Sequence, residues 1–182
     1  MVKTALYLLG LALACLSSAR PSPDRLLKEA KFTLPEAVEI ALPEIKDGSP
    51  IFARLREEKS RILYIVNVAK GETATRMSID AKTKEIVSKT ELKKSFAKLI
   101  GASKISMAKA IEIALTKKAG KATRVGFELK KGKPVAEVLV FLDGKLFEVK
   151  LDAVTGSIIK VEEEDDDDDD GDDDDGDEDD DD

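Results

Sequence analysis

Apolar residues in this chain recur first with a helical and then with a strand period, and they do so twice. Leu34, Ala37, Val38, Ala41, Leu42 and Ile45 fall at i, i+3, i+4, i+7, i+8 and i+11, one stripe of a helix. Thr33 and Glu36 have capping-box spacing, and Pro35 sits in the first turn, where proline is tolerated. Met107, Ala110, Ile111, Ala114 and Leu115 repeat the stripe behind Ser106, an N-cap candidate. Lys117, Lys118 and Gly120 suit that helix's C-terminus. After each helix the period becomes two. Strands are expected near Pro50–Arg56, Arg61–Ala69, Thr73–Asp80 and Glu85–Thr90, then near Thr123–Lys130, Val135–Leu142, Lys145–Asp152 and Ser157–Val161. Turns such as Lys131-Gly132-Lys133 and Asp143-Gly144 are short, which makes the neighbours antiparallel.

The two stretches also align in sequence. Ala37, Glu39, Ile40, Ala41 and Leu42 match Ala110, Glu112, Ile113, Ala114 and Leu115 at an offset of 73. Asp80-Ala81, Thr83 and Ile86 match Asp152-Ala153, Thr155 and Ile158 at an offset of 72. The expected fold class is therefore α+β: two tandem repeats, each one helix packed on an antiparallel sheet of three to four strands. The repeats run over residues 32–91 and 105–161. The connector 92–104 has Leu92, Phe96, Leu99 and Ile100 at helical spacing. The Asp in Asp-Ala-x-Thr is suited to an Asx-turn, accepting from the N–H two residues on. Where the second copy has Gly156 the first has Lys84, which costs on the order of 1 kcal/mol if that position is left-handed.

A helix, antiparallel strands and a hairpin reading Asp152-Ala153-Val154-Thr155-Gly156-Ser157-Ile158 resemble the PepSY domain family. The second copy fits best, and the first departs at Lys84. The resemblance implies a non-enzymatic domain, found in propeptides of thermolysin-type metallopeptidases and in exported bacterial proteins, that binds peptidases and regulates proteolysis. It carries over no catalytic residue. With no peptidase expected in the same chain, any inhibition would act in trans on a protein partner.

Composition and charge then place the chain. Among 182 residues there is no His and one Cys, which removes His-dependent catalysis, His-ligated zinc and an internal disulfide. Lys3 followed by the apolar run Ala5–Leu16 reads as a signal peptide over 1–19, with Ala19 before the cleavage point. Ala12-Leu13-Ala14-Cys15 is an imperfect lipobox, so Cys15 is a lipidation candidate and a lipid-anchored outer surface is the alternative to a periplasmic or secreted protein. The run is too short for a spanning helix, and no transmembrane segment is expected after cleavage. Residues 20–31, with Pro21 and Pro23, read as a leader.

Residues 162–182 contain 19 acids, and residues 1–161 hold 30 bases and 18 acids, a net +12. The acidic stretch is expected to be a disordered tail. It could fold back electrostatically on the basic body. Asp166, Asp168, Asp170 and Asp177, with Gly171, follow the outline of a calcium loop, but any Asp run broken by Gly does so. They are read as weak, diffuse Ca²⁺ candidates, not as a specific metal site. Few aromatics and the export signal speak against nucleic acid despite the basic body. No cofactor is implied. Glu39 and Glu112, at matching helix positions, read as solvated charges, not an acid/base pair. The expected function is an exported binding module that regulates extracytoplasmic peptidases, with a cation-associating acidic surface protein as the alternative.

Overall fold

The structure, a computed structural model, describes residues 21–164. The signal segment 1–19, Cys15, and Asp166, Asp168, Asp170 and Asp177 therefore lie outside the described residues.

Helix α1 spans Pro23–Glu29, where the sequence suggested only a leader. Ser22 Oγ accepts from Arg25 N–H at 3.4 Å, and proline at the first positions is pre-set for helix. Of the leader's two prolines, Pro23 thus opens a helix and Pro21 lies just before its cap. Leu26 is buried, and Arg25 pairs with Glu57 of the sheet.

Helix α2 covers Leu34–Ala41 and has the expected capping box: Glu36 Oε2 accepts from Thr33 N–H at 2.8 Å. Its buried positions are Leu34, Ala37, Val38 and Ala41. Strands β1 (Ser49–Glu58), β2 (Arg61–Lys70), β3 (Thr73–Asp80) and β4 (Ile86–Leu92) follow. A short helix, α3 (Ala97–Ala102), leads to α4 (Met107–Lys117), capped by Ser106 and burying Met107, Ala110, Ile111 and Ala114. Strands β5 (Lys121–Lys130), β6 (Lys133–Leu142), β7 (Lys145–Asp152) and β8 (Ile158–Glu164) complete the order.

All eight strands form one antiparallel sheet, ordered β4-β3-β2-β1-β5-β6-β7-β8. The seam is β1 against β5, with Phe52 opposite Gly126, Ala53 opposite Val125 and Arg54 opposite Arg124. It is short beside the β1–β2 ladder, which pairs from Ser49–Ala69 to Glu58–Arg61. One core nevertheless runs across it. Val38 and Ala41 of α2, Ala110 and Ala114 of α4, and Ala53, Val66, Val125 and Val138 belong to the same buried cluster. Small residues on the helices let them approach the aliphatic sheet closely. Tyr64 fastens the start of α2: its hydroxyl donates to Phe32 O at 2.5 Å, and burial pushes its phenol well above the ordinary range.

The Asx-turns form as expected. Asp80 Oδ1 accepts from Lys82 and Thr83 N–H, and Asp152 Oδ1 from Val154 and Thr155 N–H. The next position is left-handed in both, φ 68° at Lys84 and 77° at Gly156. Lys84 has compensating contacts, an ion pair with Glu36 at 3.3 Å and a place over the Phe32 ring. Lys84→Gly should thus change stability by less than about 0.5 kcal/mol, since relief of strain is offset by those losses. Gly156→Ala should cost about 1 kcal/mol, because its Cβ is strained and lies 3.0 Å from Ile113 Cδ1. Urea midpoints of the two variants test the contrast.

Two expectations need correction at the C-terminal side. Glu162–Glu164, assigned to the acidic tail, belong to β8 and pair with Glu148, Phe147 and Leu146. Lysines make the strand tolerable there: Lys145 meets Glu163 at 2.7 Å, and Lys160 pairs with Glu162. Gly120 does not supply a left-handed cap to α4, which ends at an extended Lys118. Its role is close approach, since an added Cβ would lie 2.2 Å from Phe141 O.

Candidate binding cleft

Because α2 and α4 lie on the same side of one sheet, a cleft opens between them. It holds about 380 Å³, at the small end of the roughly 300–1,000 Å³ usual for ligand pockets. Val38 and Leu42 line one wall, Met107 and Ile111 the other. Leu99 and Ile100 of α3 contribute as well, with Ile51 of β1 and Phe127 of β5. Helix α3 is fixed there by a second small core, in which Leu99 packs with Ile51, Ala69 and Ala74. The connector's apolar spacing thus serves to shape the cleft.

Polar groups in this lining are few. Ser103 Oγ is buried without a hydrogen-bond partner among the described residues. A hydroxyl so placed can donate to or accept from a bound main chain, and leaving it unpaired is costly. Glu39 is also at the cleft, whereas Glu112 is engaged by Lys109 at 2.8 Å. The sequence singled out both glutamates but gave no sign that only one borders a cavity.

On the opposite face of the sheet, β5–β8 carry an ion-pair ladder. Glu137 lies between Lys130 at 2.6 Å and Lys150 at 2.9 Å, and Lys150 also meets Glu148 at 2.9 Å. Burial alone would raise the Glu137 carboxyl, but hydrogen bonds from the two lysines override it and hold it at about 2. Glu148 is shifted the other way, chiefly by burial. A depressed carboxylate adds stability above its unfolded value and loses it as pH falls towards its folded one. Glu137 should therefore contribute an acid-sensitive term between about pH 4.5 and 2. Glu137→Gln should cost on the order of 2 kcal/mol near neutrality and flatten that part of the stability–pH curve. Urea unfolding at stepped pH reads both effects.

Among the described residues no group of three or more acidic or cysteine side chains converges as a metal site would. No helix among them is long and apolar enough to cross a membrane.

Residues 104–162, from the approach to α4 through β8, match the family described as PepSY, the peptidase propeptide and YPEB domain. This part of the chain is a PepSY domain. The Asp152–Ile158 hairpin and the α4 wall of the cleft both lie inside the PepSY segment. Two solved structures show distant likeness. A protein described as a candidate lipoprotein from Clostridium difficile 630 is 19% identical, with a TM-score of 0.45, covering 74% of this chain and 95% of that one. The C-terminal domain of YpeB from Bacillus megaterium is 16% identical, with a TM-score of 0.31, covering 77% and 69%. No curated protein matches.

Proposed function

We propose that this chain is an exported, non-catalytic protein that binds an extracytoplasmic peptidase in trans, through the cleft between α2 and α4. The observation that carries this reading is the position of the apolar cleft. It is bounded on one side by the PepSY helix α4, and its lining suits the apolar side chains of a docked segment. The family's printed description names peptidase propeptides, which supports a peptidase as the partner class.

Two PepSY-like units, over 32–91 and 105–161, complete the reading. At an offset of 72, Ala53 corresponds to Val125, and these two residues pair with each other at the seam. Phe52–Gly126 and Arg54–Arg124 exchange under the same relation, as expected when two copies meet about a local two-fold axis. Each unit then supplies one wall of the cleft. The segment 1–19 would direct export, with the periplasm or the exterior as destination.

Ala108 lines the cleft but is exposed, so Ala108→Glu places a charge there without disturbing the core. The full chain should inhibit or bind a thermolysin-type metallopeptidase in a titration, and Ala108→Glu should weaken that at least about tenfold, near 1.4 kcal/mol. Absence of any effect by the unmodified chain, or equal potency of the variant, contradicts the proposal.

A further inference from the structure

Helices α1 and α3 hold matching places ahead of α2 and α4. At an offset of 73, Leu26, Ala30, Lys31 and Thr33 correspond to Leu99, Ser103, Lys104 and Ser106. The backbones agree too. Ala30 N–H donates to Leu26 O and Ser103 N–H to Leu99 O, both at 3.0 Å, and ψ is 137° at Ala30 and 136° at Ser103. Lys31 N–H and Lys104 N–H then donate to Ala81 O and Ala153 O, both at 2.8 Å. The same backbone is thus built once with alanine and once with serine. Ala30 packs against the main core, whereas Ser103 lines the cleft, its Oγ buried and unpaired among the described residues. This backbone does not need the hydroxyl, and an unpaired buried hydroxyl is unfavourable, so its use lies with whatever enters the cleft.

A further difference between matched positions also falls at the cleft. Lys109 stands on α4 where α2 has Glu36, and it engages Glu112 at 2.8 Å. Glu36 is committed to Thr33 N–H at 2.8 Å and to Lys84 at 3.3 Å. Glu39, the match of Glu112, is therefore left with no ion pair among the described residues. Of the described residues that line the cleft, it is the one with an ionisable side chain. We propose that the cleft takes an extended peptide segment with a lysine or arginine beside its apolar side chains, a main-chain group pairing with Ser103 Oγ and the basic side chain with Glu39. This rests on the reading of the cleft as the peptidase-binding site, and it states the chemistry of the segment bound there. A helical segment fits less well, because its main-chain groups are already paired within the helix. An acyl chain has no polar group to offer Ser103, and an acidic segment meets Glu39 unfavourably.

Titration of the full chain with the capped peptides Lys-Leu-Val-Leu-Lys and Glu-Leu-Val-Leu-Glu, followed by backbone amide shifts, tests this. The lysine peptide should shift Ile51, Leu99, Ser103 and Ile111 and bind about fivefold more tightly than the glutamate peptide. Ser103→Ala should weaken the lysine peptide about tenfold with a urea midpoint no lower than the parent's, an outcome that a purely structural hydroxyl would not give. Glu39→Gln should erase the preference between the peptides, while Glu112→Gln, away from the cleft, should retain it. Alanine already occupies the matching backbone at Ala30, so the Ser103→Ala chain should fold. If it does not, the preference and its loss in Glu39→Gln decide alone. No binding of the lysine peptide, equal binding of both, shifts centred outside the cleft, or full affinity in Ser103→Ala overturns the proposal. The peptidase reading is judged separately. Peptides that bind as expected beside a metallopeptidase that does not would contradict that reading alone, and a metallopeptidase bound through the cleft beside failed peptides would contradict this proposal alone.

Discussion

Val125→Asp should leave the chain unfolded, or nearly so, at ambient temperature. Val125 is fully buried at the seam, opposite Ala53 on one side and Val138 on the other, both also fully buried. A carboxylate there gains no partner from any of these neighbours. It must either stay ionised in an apolar core or take up a proton, and such changes cost about 4 kcal/mol or more. Against a total stability of about 5–15 kcal/mol for a domain this is a large fraction. Val125→Ala is the informative companion: it removes two methyl groups from the same place and should cost only about 2 kcal/mol. Tryptophan is absent, so far-UV circular dichroism in urea is the natural probe. A Val125→Asp protein that unfolds within about 1 kcal/mol of the parent would mean the seam is not packed as described.

Gly120→Ala should cost about 3 kcal/mol, more than most exposed glycine replacements. The residue links α4 to β5 where the backbone passes against β6. A methyl at this Cα would lie 2.2 Å from Phe141 O, 2.8 Å from Val140 Cγ1 and 2.9 Å from Phe141 C. Two of the three obstacles are backbone, so relief requires moving a central strand, and overpacking of that kind is destabilising. Gly132→Ala, where nothing lies within 4 Å of the added Cβ, is the contrast: it pays only the left-handed penalty of about 1 kcal/mol. The urea midpoint should fall accordingly, with an unchanged slope. Equal losses in the two variants would refute the packing argument.

The elements were legible because their determinants are local. Thr33, Pro35 and Glu36 specify a helix start in four residues, and Lys131-Gly132 and Asp143-Gly144 specify turns with two consecutive positive φ values. The α1 helix was hidden because Ser22-Pro23 has two readings, spacer and helix start, and only the burial of Leu26 decides between them. The tail boundary at Glu162 was misplaced because charge density was read without its partners, Lys145 and Lys160. The cleft could not be read at all. It depends on β1 lying beside β5, a non-local pairing with no motif of its own, and on α3 being held across Ala69 and Ala74. What the sequence did contain was the 72-residue offset, and that offset relates the strands that meet.

The cleft depends on the β1–β5 pairing, so the register of that pairing is the most direct thing to measure. Nuclear Overhauser contacts across the backbone should connect Phe52 with Gly126, Ala53 with Val125 and Arg54 with Arg124 in the full chain. Contacts in that register place α2 and α4 over one continuous sheet. Their absence, or a register shifted by a single residue that turns Val125 outward, would leave no shared core and no cleft for a partner to enter.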